Sequence, residues 1–193
     1  MRLEPEKLQK IIGSLALAAV ILLLAFFISD NITNAGNESS RLALVQSMID
    51  HGSFAVEKSS FRTVDVGKLN GHFYSDKPIL FSAWLAGVYA FVKHVLMVSF
   101  QPIRNNAIYL INLLGVSVFT IGLYWLFLRR LKQETGCFYL KTALAVSLIF
   151  CTWIFSYTVS INNHTVAAFL VFWLFLMTEK AIEPGKKNES LIA

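Results

Sequence analysis

The chain has 193 residues, of which 55% are hydrophobic, 13% aromatic and only 15% charged, and its mean hydropathy is +0.58. Soluble domains hold about 45–50% apolar residues, so the excess argues against an ordinary water-soluble globule and points to membrane spans. The formal charge of +5 does not indicate nucleic-acid binding, because the basic residues flank apolar blocks and form no stripe with interleaved aromatics.

Ile11 to Ser29 is an almost unbroken apolar run, preceded by Arg2, Lys7 and Lys10. Its length is close to the ~20 residues needed to cross a bilayer. It is too long for a signal-peptide core and no small-x-small site follows it, so it reads as a first, uncleaved span. Residues 30–78 then form an outer loop, the most polar stretch before residue 180. Within it, Ser39 to His51 has helical spacing, with Leu42, Val45, Met48 and Ile49 on one face. Asn37 stands where a cap could start this helix and Gly52 where a left-handed residue could end it. The pattern predicts a helix lying along the membrane surface. Phe61 to Tyr74 predicts two extended pieces about Asn70-Gly71, a strong short-range hairpin signal, which would hold Asp65 on a short rigid element.

Three apolar blocks follow Pro78. Ile79–Phe100 carries Lys93 and His94, Ala107–Leu128 ends at Arg129-Arg130-Leu131-Lys132, and Phe138–Met177 is long enough for two spans and is broken at Asn162-Asn163-His164. If every block crossed once, giving five spans, Arg129, Arg130 and Lys132 would face outside, against the positive-inside rule. Lys93 would also cost about 2.5–3.5 kcal/mol near mid-bilayer. If Ile79–Phe100 instead lies on the outer face, the parity resolves. The expected fold is therefore an all-α polytopic membrane protein with about four transmembrane helices, outer-face juxtamembrane helices and a small β-hairpin in the first outer loop. Residues 1–193 read as one membrane module with both termini cytoplasmic, and the C-terminal stop soon after a span reads as the N-terminal part of something longer. Cys137 and Cys151 fall on one predicted helix, about 21 Å apart and too far to pair; they read as small apolar fillers.

The outer segments hold the titratable groups. Glu38, Asp50, Glu57, Asp65 and Asp76 are the carboxylates, Arg41, Lys58, Arg62, Lys68 and Lys77 the cations, and His51, His72 and His164 the imidazoles. A carboxylate at the bilayer edge can act as general base toward a hydroxyl, and a nearby cation can stabilise an anionic leaving group such as a lipid phosphate. There is no Gly-x-Ser-x-Gly elbow and no Gly-rich phosphate loop. The histidines lack the spacing of a zinc helix motif, and Asp65-Val66-Gly67 carries one carboxylate where an Asp-x-Asp would carry two. No metal site is indicated.

The order of these motifs resembles the membrane glycosyltransferases of the GT-C fold, among them the protein O-mannosyltransferases and the aminoarabinose transferases that act on lipid A. The likeness rests on Asn37-Glu38-Ser39-Ser40-Arg41-Leu42, on Thr63 and Asp65, on Asn70-Gly71-His72-Phe73-Tyr74-Ser75-Asp76-Lys77-Pro78, and on Tyr157 to Thr165 with its Asn162-Asn163-His164. It implies transfer of a sugar from a polyprenyl-phosphate donor to an acceptor hydroxyl at the outer face of a bacterial inner or plasma membrane, with inversion. Glu38 and Asp65 become the candidate catalytic carboxylates. Asn37, Arg41, His72, Tyr74, Asp76, Lys77, Asn163 and His164 become candidate substrate-binding residues. The expected partners are membrane lipid and the lipid-linked sugar, which is the substrate and not a cofactor, together with further spans or a subunit that complete the fold; no nucleic acid is expected. In those families the loop opens with Asp-Glu. Here Asn37 stands at the first position and cannot take a proton, so the base role falls to Glu38 or Asp65. Ile79 replaces the second proline of the Lys-Pro-Pro element. The alternative is a non-catalytic, truncated membrane protein that binds lipid-linked substrate or a partner subunit.

Overall fold

A computed structural model of the chain describes residues 13, 15–24, 36–101, 105–134 and 136–182. The basic residues Arg2, Lys7, Lys10, Lys186 and Lys187, and the ends of the run Ile11–Ser29, lie outside the described residues. Helix makes up about 70% of the described residues, joined by one small two-stranded antiparallel sheet. In chain order the elements are α1 (Leu15–Leu24), then α2 (Gly36–Asp50), β1 (Val66–Leu69), β2 (His72–Ser75), α3 (Ile79–His94), α4 (Asn106–Asn112), a π turn (Leu113–Ser117), α5 (Val118–Glu134), α6 (Phe138–Phe150), α7 (Ile154–Thr158) and α8 (His164–Ile182).

Two of these rods are long and apolar enough to cross a membrane, Asn106–Lys132 and His164–Ile182. They pack side by side. Phe169 of α8 meets Phe119 with ring centroids 5.5 Å apart, Phe172 meets Phe127 at 6.0 Å, and Glu179 pairs with Arg130 at 3.0 Å. The residue numbers rise together on both helices, so α5 and α8 run in the same direction and α6–α7 makes the return. Gly122 is the close approach: a Cβ there would stand 2.7 Å from the Phe169 ring. Projecting the register back one turn puts His164 level with the π turn. The stretch α4 therefore extends beyond the start of α8; α2 and α3 share a core with that extension, and the hairpin packs on α2.

The π turn has two sources of compensation. Its Gly115 carbonyl accepts the Trp84 indole N–H at 2.9 Å. Leu85 packs so closely that a Cβ on Gly115 would meet its Cδ2 at 2.7 Å. On the other side, the Thr158 carbonyl at the end of α7 accepts the Asn112 side-chain amide at 3.0 Å and faces the Ser117 hydroxyl at 3.5 Å. The Thr158 hydroxyl donates to the Ile154 carbonyl at 2.7 Å, so the Thr120 hydroxyl, 2.6 Å away, donates to it. Buried polar groups require such partners.

Several expectations change. Helix α2 begins at Gly36, ahead of the predicted Ser39, so Asn37 sits in its first turn and does not cap it. The reason is tertiary. The Thr63 hydroxyl donates to the Gly36 carbonyl, and the Asp65 carboxylate lies over Gly36, where a helix N-terminus favours negative charge. Residues from Ser39 to Ser47 are all buried, so α2 is a core element and not a helix lying on a surface. Leu42 and Val45 face α3 and α4, while Ala43 and Leu44 face Val56 and the loop before the hairpin. Gly52 ends the helix as predicted, at φ 61°, and lets the Ser53 N–H return to the Ser47 carbonyl at 3.0 Å.

The hairpin forms about Asn70-Gly71, both with positive φ, as a type I′ turn requires. Its strands are shorter than the predicted extended pieces, and Asp65 immediately precedes β1. The block Phe138–Met177 breaks first at Cys151, so α6 has 13 residues, about 20 Å, and continues only through the short α7. Both cysteines flank α6, one at each end, and are exposed.

Lys93, costly in a bilayer, is paired. Its ammonium lies 2.7 Å from Asp50 Oδ1, and the Tyr89 hydroxyl donates to the same carboxylate at 3.1 Å while accepting the Phe100 N–H at 3.3 Å. Burial raises the Tyr89 pKa to about 12, so this phenol remains a donor at any physiological pH. The pair joins the C-terminal ends of α2 and α3, which run in the same direction. Replacing Asp50 with alanine leaves Lys93 and Tyr89 without their acceptor and is expected to cost about 1–3 kcal/mol in thermal unfolding in micelles. Adding Lys93→Met should recover part of that loss.

Candidate functional site

The N-terminal half of α2, the hairpin and the loop before α8 meet at one place. Ser40 is the polar centre of the first junction. Its hydroxyl donates to the Asp65 carbonyl at 2.7 Å and accepts from the Ser75 hydroxyl at 2.7 Å; Asp76 Oδ1 is 3.4 Å away. The Asp65 N–H is held by the Thr63 hydroxyl at 3.0 Å. Successive strand residues face opposite sides, so Ser75 turns toward α2 and Tyr74 turns away.

Lys77 closes the cluster. Its ammonium stands 3.2 Å from Asp65 Oδ2 and 2.9 Å from Asp76 Oδ1, with only 13% of the side chain exposed. The hydrogen bond that its ammonium donates to Asp76 raises its pKa most, with Asp65 adding in the same direction against burial. Lys77 is thus a bridge between two carboxylates that flank the open end of the hairpin, Asp65 before β1 and Asp76 after β2.

Arg41 makes the second junction. One Nη donates to the Ile161 carbonyl at 3.4 Å and the other to Asn163 Oδ1 at 3.0 Å. The guanidinium also lies over the Phe81 ring, 5.7 Å from its centroid. Burial lowers its pKa, opposed by Glu38 and Asp76, and arginine retains its charge throughout the working pH range. Glu38 reaches the same loop, where its Oε1 accepts the Ile161 N–H at 2.9 Å. Arg41 and Glu38, one helical turn apart, therefore clasp the Ile161 peptide between them, one at its carbonyl and the other at its N–H.

Of the residues singled out from sequence, the structure brings together Glu38, Arg41, Asp65, Asp76, Lys77 and Asn163. Asn37 is exposed beside them. His164 is exposed and packs its ring on Tyr157, with centroids 4.5 Å apart, while its N–H donates to Asn162 Oδ1 at 2.9 Å. His72 and Tyr74 lie elsewhere, lining an open groove with Gly52, Ser53, Phe54 and Ala55. His72 Nδ1 is 3.2 Å from Glu57 Oε1, which also accepts the Phe73 N–H at 2.6 Å.

Sequence reasoning missed Ser40, Ser75 and Glu57 as organising groups. The period-2 alternation of β2 could have separated Ser75 from Tyr74. No local signal connects Glu57 to a hairpin that begins nine residues later. Comparison with protein-family models, with curated proteins and with solved structures finds no match.

The Phe73 N–H is the main cause that holds the Glu57 pKa below the ordinary carboxylate value, with His72 adding to it. A carboxylate with a depressed folded-state pKa stabilises above its unfolded pKa, and that contribution is lost as pH falls through the folded value. The Phe73 amide resonance should therefore titrate in the acid range below the ordinary carboxylate pKa. Glu57→Gln should abolish that titration in an NMR pH series.

Proposed function

We propose that the chain is a GT-C-like membrane glycosyltransferase module that transfers a sugar from a polyprenyl-phosphate donor to an acceptor hydroxyl at the outer membrane face. In this reading α1, α5, α6–α7 and α8 cross the bilayer, and α2, the hairpin, α3 and α4 form a lobe outside it. The length of α8, 19 residues or about 28 Å, matches a hydrocarbon core of about 30 Å. Its start, level with the π turn, would then mark the outer boundary. The clasp of Glu38 and Arg41 on Ile161 and the Lys77 cluster would sit at that boundary, where the phosphate of a membrane-anchored donor lies.

The observation that carries the reading is the Lys77 bridge between Asp65 and Asp76. The Asp65 side chain is 31% exposed, within reach of an incoming acceptor. In the proposed step its carboxylate takes the hydroxyl proton, the acceptor oxygen bonds to the anomeric carbon, and the bond from that carbon to the phosphate oxygen breaks with its electron pair. Protonation neutralises one of the two carboxylates that hold Lys77. The ammonium charge becomes available to the departing phosphate at the moment it is needed, and such differential stabilisation is what accelerates a reaction. Glu38 and Arg41 are positioning residues, because the Ile161 peptide engages both and Arg41 is almost wholly buried.

Membranes holding the full gene product should transfer labelled sugar from a polyprenyl-phosphate donor. Asp65→Asn and Lys77→Ala should each lower the rate by about 10²-fold or more, and Glu38→Gln by less. Transfer unchanged by Asp65→Asn would contradict the base assignment.

A further inference from the structure

We propose that the groove between the Gly52–Ala55 turn and β2 is a saccharide subsite that takes a neutral, non-reacting pyranose ring of a glycan acceptor. The inference rests on the transferase reading for the word acceptor, and on the groove alone for sugar binding. The groove has a volume of about 380 Å³, toward the low end of the 300–1,000 Å³ typical of ligand sites and sized for one or two rings. Phe54, 53% exposed, and Tyr74 line it. Aromatic rings offer an apolar face, and tyrosine adds a polar tip; a pyranose offers apolar C–H faces and a hydroxyl edge in return. His72, whose side chain is 63% exposed, and the Glu57 carboxylate beside it supply a donor and acceptors for that edge.

The frame is built before any ligand arrives. Ala55 bridges to Tyr74, the Val56 N–H donates to the Phe73 carbonyl at 2.9 Å, and the Ser53 hydroxyl accepts the Ala55 N–H at 3.0 Å. Rigid placement lowers the ordering cost of binding. Two further observations choose the ligand. The Glu57 carboxylate disfavours an anion, which separates this groove from a phosphate site. Tyr74 and the cluster-facing Ser75 project to opposite sides of β2, so a ring in the groove is not the one that reacts at Asp65.

The test is saturation-transfer NMR on the whole chain in nanodiscs, with methyl α-D-mannopyranoside and methyl β-D-glucopyranoside as probes and methyl β-D-glucuronide as the anionic control. Saturation should reach the ring C–H protons of the neutral glycosides and fall about fivefold in Phe54→Ala, the loss of one stacking contact. Tyr74→Phe should keep most of it, and Asp65→Asn should leave it unchanged. Absence of transfer in the wild-type chain, equal transfer in Phe54→Ala, or preference for the glucuronide would overturn the proposal. Because the readout is binding, a chain that binds neutral glycosides yet transfers no sugar would sink the transferase reading and leave the subsite standing. A chain that transfers sugar while Phe54→Ala binds normally would do the reverse.

Discussion

Arg41 is the residue on which the rest of the arrangement depends. A guanidinium this deeply buried must have its donors satisfied and its charge balanced, because an unpaired buried charge costs several kcal/mol. Arg41 answers with its two Nη groups, its Nε–H having no partner among the described residues, and in doing so draws together elements far apart in sequence: the Ile161 carbonyl and Asn163 amide from the loop before α8, the Phe81 ring from α3, and the fields of Glu38 and Asp76. Helix α2 is thereby fastened to the loop before α8. Ser40, the residue before it, fastens the same helix to both ends of the hairpin.

Two kinds of glue hold the fold on either side of that junction. The rods α5 and α8 interlock through aromatic rings, with Gly122 making room for Phe169. The lobe made of α2, the hairpin, α3 and α4 instead relies on paired charges and caps, namely Asp50 with Lys93 and Tyr89, and Asp65 and Asp76 with Lys77. The π turn lies between them, where Trp84 donates to the Gly115 carbonyl and the Thr158 carbonyl accepts the Asn112 side-chain amide. A change in helix geometry at this level separates a membrane-like part from a polar part carrying ionisable side chains.

Local chemistry made much of this legible in the sequence. Asn70-Gly71 specified its turn, Gly52 its helix end, and the apolar runs their helices. The expectation that Ile79–Phe100 lies outside the bilayer rested on the positive-inside parity of Arg129, Arg130 and Lys132 and only secondarily on Lys93; the structure gives Lys93 a partner, Asp50, that periodicity alone could not name. What escaped the sequence is tertiary. Nothing near Gly36 announces that Asp65 will lie over it and start α2 early. The moderate apolar face of α2 gave no hint that Ala43 and Leu44 would be buried by residues 53–66. The binding residues read as one set also part company: alternation along β2 sends Tyr74 into the groove and Ser75 into the cluster, and Glu57 holds His72 with the former.

The central claim is that two segments far apart in sequence are locked into one site through Arg41 and Asn163. A double-mutant cycle measures that lock directly, with thermal unfolding of Arg41→Ala, Asn163→Ala and the double variant in the same detergent. A direct charge-assisted contact predicts a coupling energy of about 1 kcal/mol or more. Strictly additive losses would contradict the account, because α2 and the loop before α8 would then be stabilised independently.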